Sequence, residues 1–432
     1  MRILHICPAY YPSLGGAETH VRELSERLAW KGHDVTVFTT NNWGLMGFKK
    51  AERLEKFEVV NGVKIRRFKN WNGVKDFLKV AWQLPGSYKS LKYLLGPARL
   101  QVLAEDPLHP QLFLEALRFR ADVTTVVNWA SSLAGEVCLA KKLKPFPLVA
   151  LPLFHTEERW SQSDLFRNML NCCDAIVVNT SHEKEFVTRL TCDPKSVQVI
   201  GVGVDPTRFS GKDRFSIRKR YDLGDAPIVG YMGRIAPNKG VVDLIRAMKY
   251  VCQWTPETRL VLAGYRLSPE SRGDGEIRAA LECLSPEESS RVIFISDFDE
   301  TEKASILEAF DVFAMPSVGE SFGIAYLEAW MCRKPVVGAR IGSTQCVIQD
   351  GVDGVLVDVG DIQGLAKSLI SLLDNAELRM KLGQTGYEKT VSRYSWDVVT
   401  DKMADLYSRV AQRYDRKLPR SDSVFDLDGC DS

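Results

Sequence analysis

The chain has 432 residues, more than a single hydrophobic core usually serves, so its length asks for two domains or more. It is 45% hydrophobic and 26% charged with a formal net charge of +2, an ordinary globular composition that gives no general case for a nucleic-acid binder. Its 10 cysteines include no C-x-x-C pair, and the vicinal Cys172-Cys173 cannot seed a zinc site of normal spacing, so their usage fits a reducing compartment without a structural metal.

The N-terminus runs directly into the strand-like RILHIC (2–7), with no long apolar stretch ending in a small-residue cleavage site, and nowhere do 18 apolar residues run together. The expectation is a cytoplasmic protein that does not span a membrane. After that strand, Gly15-Gly16 would let the backbone approach a ligand where a helix begins with free N–H groups; a flexible turn, with Gly32 closing the helix, fits the same residues. The spacing is not G-x-G-x-x-G, which disfavours a nicotinamide cofactor, and no G-x-x-x-x-G-K-[ST] occurs. Further short apolar runs follow at 34–40, 63–68, 122–127, 147–152 and 175–179, with amphipathic stretches between most of them. That alternation predicts parallel strands covered by helices. Residues 73–103 mix lysines with Trp82, Tyr88, Tyr93 and leucines. A basic aromatic helix pair resting on anionic lipid has this composition, and so do lysines snorkelling over core leucines. His155 follows the apolar PLVALPLF and is expected at a strand end. Facing a cleft it would donate to a sugar hydroxyl or shuttle a proton, and elsewhere it is a plain loop histidine.

A stretch rich in Gly, Pro and charge (199–214) marks the junction to a second series of apolar runs at 227–233, 258–264, 291–296, 312–316, 334–339 and 354–358. Two successive doubly wound units follow, with the natural ligand site between them, because open α/β sheets bind at the carboxyl ends of their strands. In GYMGRIAPNKG the first of these strands ends in a turn that carries Arg234 and Lys239 before a helix expected near Gly240. A planar fork and a compact point charge at one strand mouth suit a diphosphate, although two surface cations would read the same.

GESFGIAYLEA places Glu320 and Glu328 eight positions apart around Ser321-Phe322-Gly323. Eight helical residues rise about 12 Å, too far for the two acids to share a proton. Two carboxylates at that separation, with a helix start between them, suit a ligand built as polyol, phosphate and polyol, the layout of a nucleotide sugar. Solvated glutamates on a loop and a helix face remain the bland alternative. The last helical pattern (394–414) is long enough to leave the second unit and pack elsewhere, and the polar tail after it is expected to be disordered. The D-x-D tripeptides at 297–299 and 426–428 are read as solvated charge rather than metal ligands.

Taken together in order, Gly15-Gly16, G-R-x-x-x-x-K-G at 233–240, P-S-x-x-E-S-F-G-x-x-x-x-E-A at 316–329 and D-G-x-x-G-x-L-V at 350–357 resemble the retaining glycosyltransferases of family four, over roughly residues 1–410 and weakly between 70 and 120. The resemblance implies an α/β GT-B fold, two Rossmann-like doubly wound parallel-sheet domains facing across a cleft. The first would span 1–205 on the acceptor side and the second 206–394 on the donor side, with the helix 395–414 packing back on the first domain and a disordered tail at 415–432. It implies transfer from a nucleotide-diphosphate sugar to a hydroxyl acceptor, a glycan or lipid-linked acceptor of envelope or exopolysaccharide synthesis, with no metal and no cofactor. Arg234 and Lys239 would bind the diphosphate and Glu328 the ribose. Glu320 and the Ser321-Phe322-Gly323 backbone would hold the sugar, Gly15 and Gly16 would approach the donor phosphates, and His155 would lie near the sugar. Contact with the cytoplasmic face of a membrane through 73–103 is a further expectation. One departure stands out: the family's G-G-x-P-E reads here Gly342-Ser343-Thr344-Gln345-Cys346, without the second glycine and the acid. A sugar-nucleotide epimerase of the same fold, or a nucleotide-sugar sensor without turnover, would carry much of the same pattern, whereas a glycogen-type phosphorylase would need pyridoxal phosphate and more chain.

Overall fold

The structure, a computed structural model, describes residues 1–13, 15–41, 54–71, 107–127, 131–153, 163–210, 212–266, 268, 270–296 and 298–417. The segment 73–103, His155, Asp297 and the tripeptide 426–428 lie outside the described residues.

Among the described residues, fourteen strands form two sheets. The first contains β1 (Arg2–Ile6), β2 (Asp34–Thr40), β3 (Phe57–Val60), β4 (Val63–Phe68), β5 (Val123–Val127), β6 (Leu148–Leu151), β7 (Ala175–Val178) and β8 (Val197–Val199). Their spatial order is β3-β4-β2-β1-β5-β6-β7-β8, and every pairing is parallel except β3 with β4. The six apolar runs read in the first half are all strands here. The two unread strands sit at the sheet's edges. β3 joins β4 through the two-residue turn Asn61-Gly62, whose φ angles of 48° and 82° match the hairpin turn that Asn-Gly favours.

The second sheet holds β9 (Ile228–Met232), β10 (Arg259–Ala263), β11 (Val292–Ile295), β12 (Val312–Met315), β13 (Val336–Ala339) and β14 (Gly354–Val357) in the order β11-β10-β9-β12-β13-β14, parallel throughout. Helices cover both faces, so these strands are buried as near-continuous apolar runs rather than alternating ones.

One face of the first sheet packs on the helix Gly16–Trp30 and on the final helix, Trp396–Lys417. The final helix presents Trp396, Val399, Met403, Leu406, Tyr407 and Val410, the spacing of a single apolar face. It runs past residue 414, where the sequence pattern ended, and residues 418–432 lie outside the described part. Its Tyr407 hydroxyl lies 3.0 Å from His5 Nε2 and 2.8 Å from Thr125 Oγ1, and His5 Nδ1 is 2.7 Å from Ser25 Oγ. This buried polar chain fixes the helix on strands β1 and β5.

The two chain crossings between the sheets lie side by side. Val204 N–H donates to Tyr394 O at 2.8 Å, and Trp396 N–H donates to Val204 O at 3.1 Å. Gly203 is needed there because a Cβ would stand 2.4 Å from the Trp396 ring. Around this crossing Glu23 pairs with Arg27 and Arg208, Arg27 reaches Asp205 at 2.7 Å, and the Arg27 guanidinium lies 5.5 Å above the Trp396 ring. Among the described residues no helix is long and apolar enough to cross a membrane.

Candidate active site

The expected phosphate turn follows β9. Gly233 N–H donates to Ala263 O at 3.0 Å and Ile235 N–H to Tyr265 O at 2.8 Å, so the turn leaves the sheet alongside the end of β10. Gly264 permits that approach, since a Cβ would stand 1.8 Å from Gly233 O. Arg234 is held by its backbone, whose carbonyl accepts from the buried Tyr231 hydroxyl at 2.6 Å, while its guanidinium is exposed and makes no ion pair among the described residues.

A short 3-10 turn, Pro237–Lys239, precedes Gly240, and the α-helix begins at Val241. Gly240 has φ +78°, and a Cβ there would meet Pro316 O at 2.3 Å, so only glycine lets the turn after β9 touch the loop after β12. The contact is stitched by Val318 N–H to Asn238 O at 3.1 Å and Ser317 Oγ to Asn238 O at 3.0 Å. This brings Lys239 to Glu320: its Nζ lies 2.6 Å from Oε1 and donates to Gly319 O at 3.3 Å. Residues 81 apart in sequence thus meet at one strand mouth.

Gly323, at φ +88°, turns the chain into the helix Ile324–Met331, whose first N–H groups have no intrahelical partner. Phe322 is buried against the Tyr394 ring at 5.4 Å, which leaves only the backbone of this residue for any contact with a ligand. Ser321 is half-buried beside it. Glu328 lies on the helix proper, with Lys303 Nζ 2.7 Å from its Oε1. Burial opposes the charge on Lys303, but Glu328 and Glu300 outweigh it and hold the ammonium above the usual lysine range. Glu328 and Lys303 line a narrow cleft whose opposite wall is Thr19 and His20 of the first helix.

At the first sheet's edge, Gly15 is in extended backbone, and Gly16 opens the helix with nothing within 4 Å of where its Cβ would be. Gly15 O accepts from Thr19 N–H at 2.9 Å. The divergent stretch at 342–346 is the short helix Gly342–Val347. Ser343 Oγ donates to Glu320 O, and a Cβ on Gly342 would stand 2.4 Å from the His182 ring. Cys346 Sγ lies 3.1 Å from Ser181 Oγ, so this helix joins the two halves beside the site.

The structure therefore brings Arg234, Lys239, Glu320, Ser321, Phe322 and Gly323 to adjoining loops of the second sheet, with Glu328 along the helix they lead into. Sequence reasoning missed Lys303 and Ser343. Neither has a local signal, because Lys303 meets Glu328 across 25 residues and Ser343 meets Glu320 across 23. Among the described residues no cluster of three or more His, Cys, Asp or Glu could hold a metal ion.

The family model described as "Glycosyl transferases group 1" matches residues 213–389, and that described as "Glycosyltransferase Family 4" matches residues 14–208. A D-inositol 3-phosphate glycosyltransferase of Corynebacterium kroppenstedtii is 32% identical over 427 residues, covering 94% of this chain and 88% of that protein. Its counterpart in Corynebacterium efficiens is 26% identical, covering 94% and 93%. Among solved structures, an Anabaena protein in complex with UDP superposes with a TM-score of 0.72 at 19% identity, covering 95% of this chain and 100% of that one. The sucrose-phosphate synthase of Thermosynechococcus elongatus gives 0.71 at 20% identity, covering 96% and 100%.

Proposed function

The chain belongs to glycosyltransferase family 4 and has the GT-B fold, and from that premise we propose that it transfers a sugar, with retention and without a metal ion, from a uridine-diphosphate sugar to a hydroxyl acceptor. The observation that carries the reading is the turn after β9, which holds Arg234, exposed and without an ion pair among the described residues, and Lys239, whose Nζ is 2.6 Å from Glu320.

Without a ligand, Lys239 leans on Glu320. With the donor bound, Arg234 and Lys239 take the diphosphate, Glu320 and the amides of 321–323 hold the transferred sugar, and Glu328 accepts from the ribose hydroxyls. Gly15 and Gly16 approach the phosphates from the other half, and His155 serves the sugar. In the reaction the bond from the anomeric carbon to the phosphate oxygen breaks, and a bond to the acceptor oxygen forms on the same face. The acceptor proton passes to the departing phosphate. The two cations stabilise the charge that develops there, the part a metal plays elsewhere.

UDP is favoured as the base-bearing product because the Anabaena protein of the same fold was solved with it. The relatives named D-inositol 3-phosphate glycosyltransferases make an inositol phosphate the first acceptor to try, and a lipid-linked or envelope glycan is the second. The test is incubation with UDP-glucose and each acceptor in chelator, reading UDP release and the anomeric configuration of the product by NMR. Retained configuration in chelator supports the proposal; an inverted product, or turnover only with added metal, overturns it. Conversion of the sugar nucleotide without any acceptor would point to the epimerase, and UDP binding without turnover to the sensor.

A further inference from the structure

The environment of Glu328 carries one more assignment. Lys303 is the first residue of the helix Lys303–Ala309, at the wall of the cleft between the halves. Its side chain is 23% exposed, and its Nζ is 2.7 Å from Glu328 Oε1 and 3.5 Å from Glu300 Oε2. The two acids differ. Glu300 is 70% exposed and its contact is the longer, whereas Glu328 is 14% exposed, so the ammonium's close contact is with the more buried carboxylate. Oε1 is engaged by Lys303, and Oε2 takes no hydrogen bond among the described residues. A carboxylate has lone pairs to spare on both oxygens, so it can keep the lysine and still accept from a pair of hydroxyls. A glutamate left unheld would lose rotamer freedom on binding, a cost that weakens affinity; one already fixed does not.

We propose that Lys303 is a positioning residue for donor binding: it holds the Glu328 carboxylate in the orientation that accepts the ribose hydroxyls of the nucleotide. This rests on the reading of Glu328 as the ribose grip. The competing account is a structural ion pair that merely braces the helix at 303 against the helix at 324.

The two accounts separate on UDP against 2′-deoxy-UDP, measured by titration calorimetry on wild type, Glu328→Gln, Lys303→Gln and Lys303→Arg, with melting temperatures alongside. The expected result is that Lys303→Gln weakens UDP about ten-fold while 2′-deoxy-UDP changes little, so that the preference for the ribonucleotide shrinks, and that Lys303→Arg restores it. In turnover the loss falls on the donor KM rather than on kcat. Equal weakening of both nucleotides with a lowered melting temperature is the signature of a brace and overturns the proposal. The ribose reading fails separately: if Glu328→Gln keeps the wild-type preference, or wild type binds no UDP, both assignments go. If Glu328→Gln erases the preference and Lys303→Gln keeps it, only the role of Lys303 is lost.

Discussion

The two sheets meet the cleft with different kinds of edge. On the second, the loops after β9 and β12 are locked together: Gly240 fits against the Pro316 carbonyl, Asn238 O accepts two hydrogen bonds from the other loop, and Lys239 closes on Glu320. On the first, the turn at Gly15-Gly16 has no strained torsion, its closest neighbour is the flexible Glu18 side chain, and nothing lies within 4 Å of a Cβ at Gly16. The locked edge holds its charged groups in place before any ligand arrives. At this turn the open edge offers backbone N–H groups, and its contribution depends on what is brought to it. Preorganised charge is what stabilises a transition state, so the locked edge should carry most of the chemistry.

The largest effects should therefore come from the second sheet. Arg234→Ala and Lys239→Ala are each expected to reduce kcat/KM by a factor corresponding to about 2–4 kcal/mol, the loss seen when a donor to a developing anion is removed. Lys239→Ala also leaves Glu320 without its cation, so it should be the more damaging of the two. Steady-state kinetics on both variants settle it, and near-normal turnover in either would sink the diphosphate assignment.

Next in size is Gly240→Ala. A left-handed torsion disfavours any side chain, and here the new methyl would also press on a backbone carbonyl that cannot swing aside, so a loss of about 3 kcal/mol of stability is expected. Denaturant unfolding reads it directly. An unchanged midpoint would show that the two loops do not touch as described.

These loops also show what the sequence could and could not disclose. Strands buried on both faces read as near-continuous apolar runs, and β4 shows itself by the alternation around the exposed Lys64, so twelve of the fourteen strands among the described residues were legible. β3 was missed because its residues alternate with exposed ones on an antiparallel edge, although Asn61-Gly62 advertised the hairpin; β8 is three residues long. Arg234, Lys239 and Glu320 could be placed near one strand mouth because topology puts the ends of neighbouring parallel strands together. Lys303 could not, since nothing in T-E-K-A indicates that its amine reaches a carboxylate on another helix. The stretch 342–346 stood out in the sequence only as a departure from the family's pattern; in the fold it is a helix whose Ser343 donates to Glu320 O and whose Gly342 meets His182.

Acidity should separate the halves again. All six histidines lie in the first half of the chain, before residue 205. Burial lowers His20 to about 4, and burial together with His20 lowers His5 to about 3, from an ordinary 6.5. Both are neutral in the fold, while the unfolded chain takes up protons as pH drops below 6.5. The stability they contribute is thus complete above pH 6.5 and is lost progressively toward pH 4 for His20 and pH 3 for His5, by about 2 kcal/mol for His20 at pH 5. Calorimetric melting at pH 7.5 and 5 should show this loss, and His20→Phe should reduce it. A wild type with the same melting temperature at both pH values would contradict the buried neutral histidines.

The smallest effect on the fold, and the sharpest test of the comparison, belongs to Gly16. Its Cβ would meet nothing, and alanine suits a helix better than glycine, so Gly16→Ala should leave stability within about 0.5 kcal/mol of wild type. Gly15→Ala differs only in that its Cβ would stand 2.2 Å from the Glu18 carboxylate, the end of a flexible side chain that can turn away. If donor phosphates come up against this turn when the cleft is filled, the same harmless methyl at Gly16 must weaken UDP, by about 1 kcal/mol for a contact that shifts rather than breaks. A stable Gly16→Ala protein that binds UDP as wild type does would mean that the open edge never touches the donor. The site would then belong to the second sheet alone, and the first would serve only the acceptor.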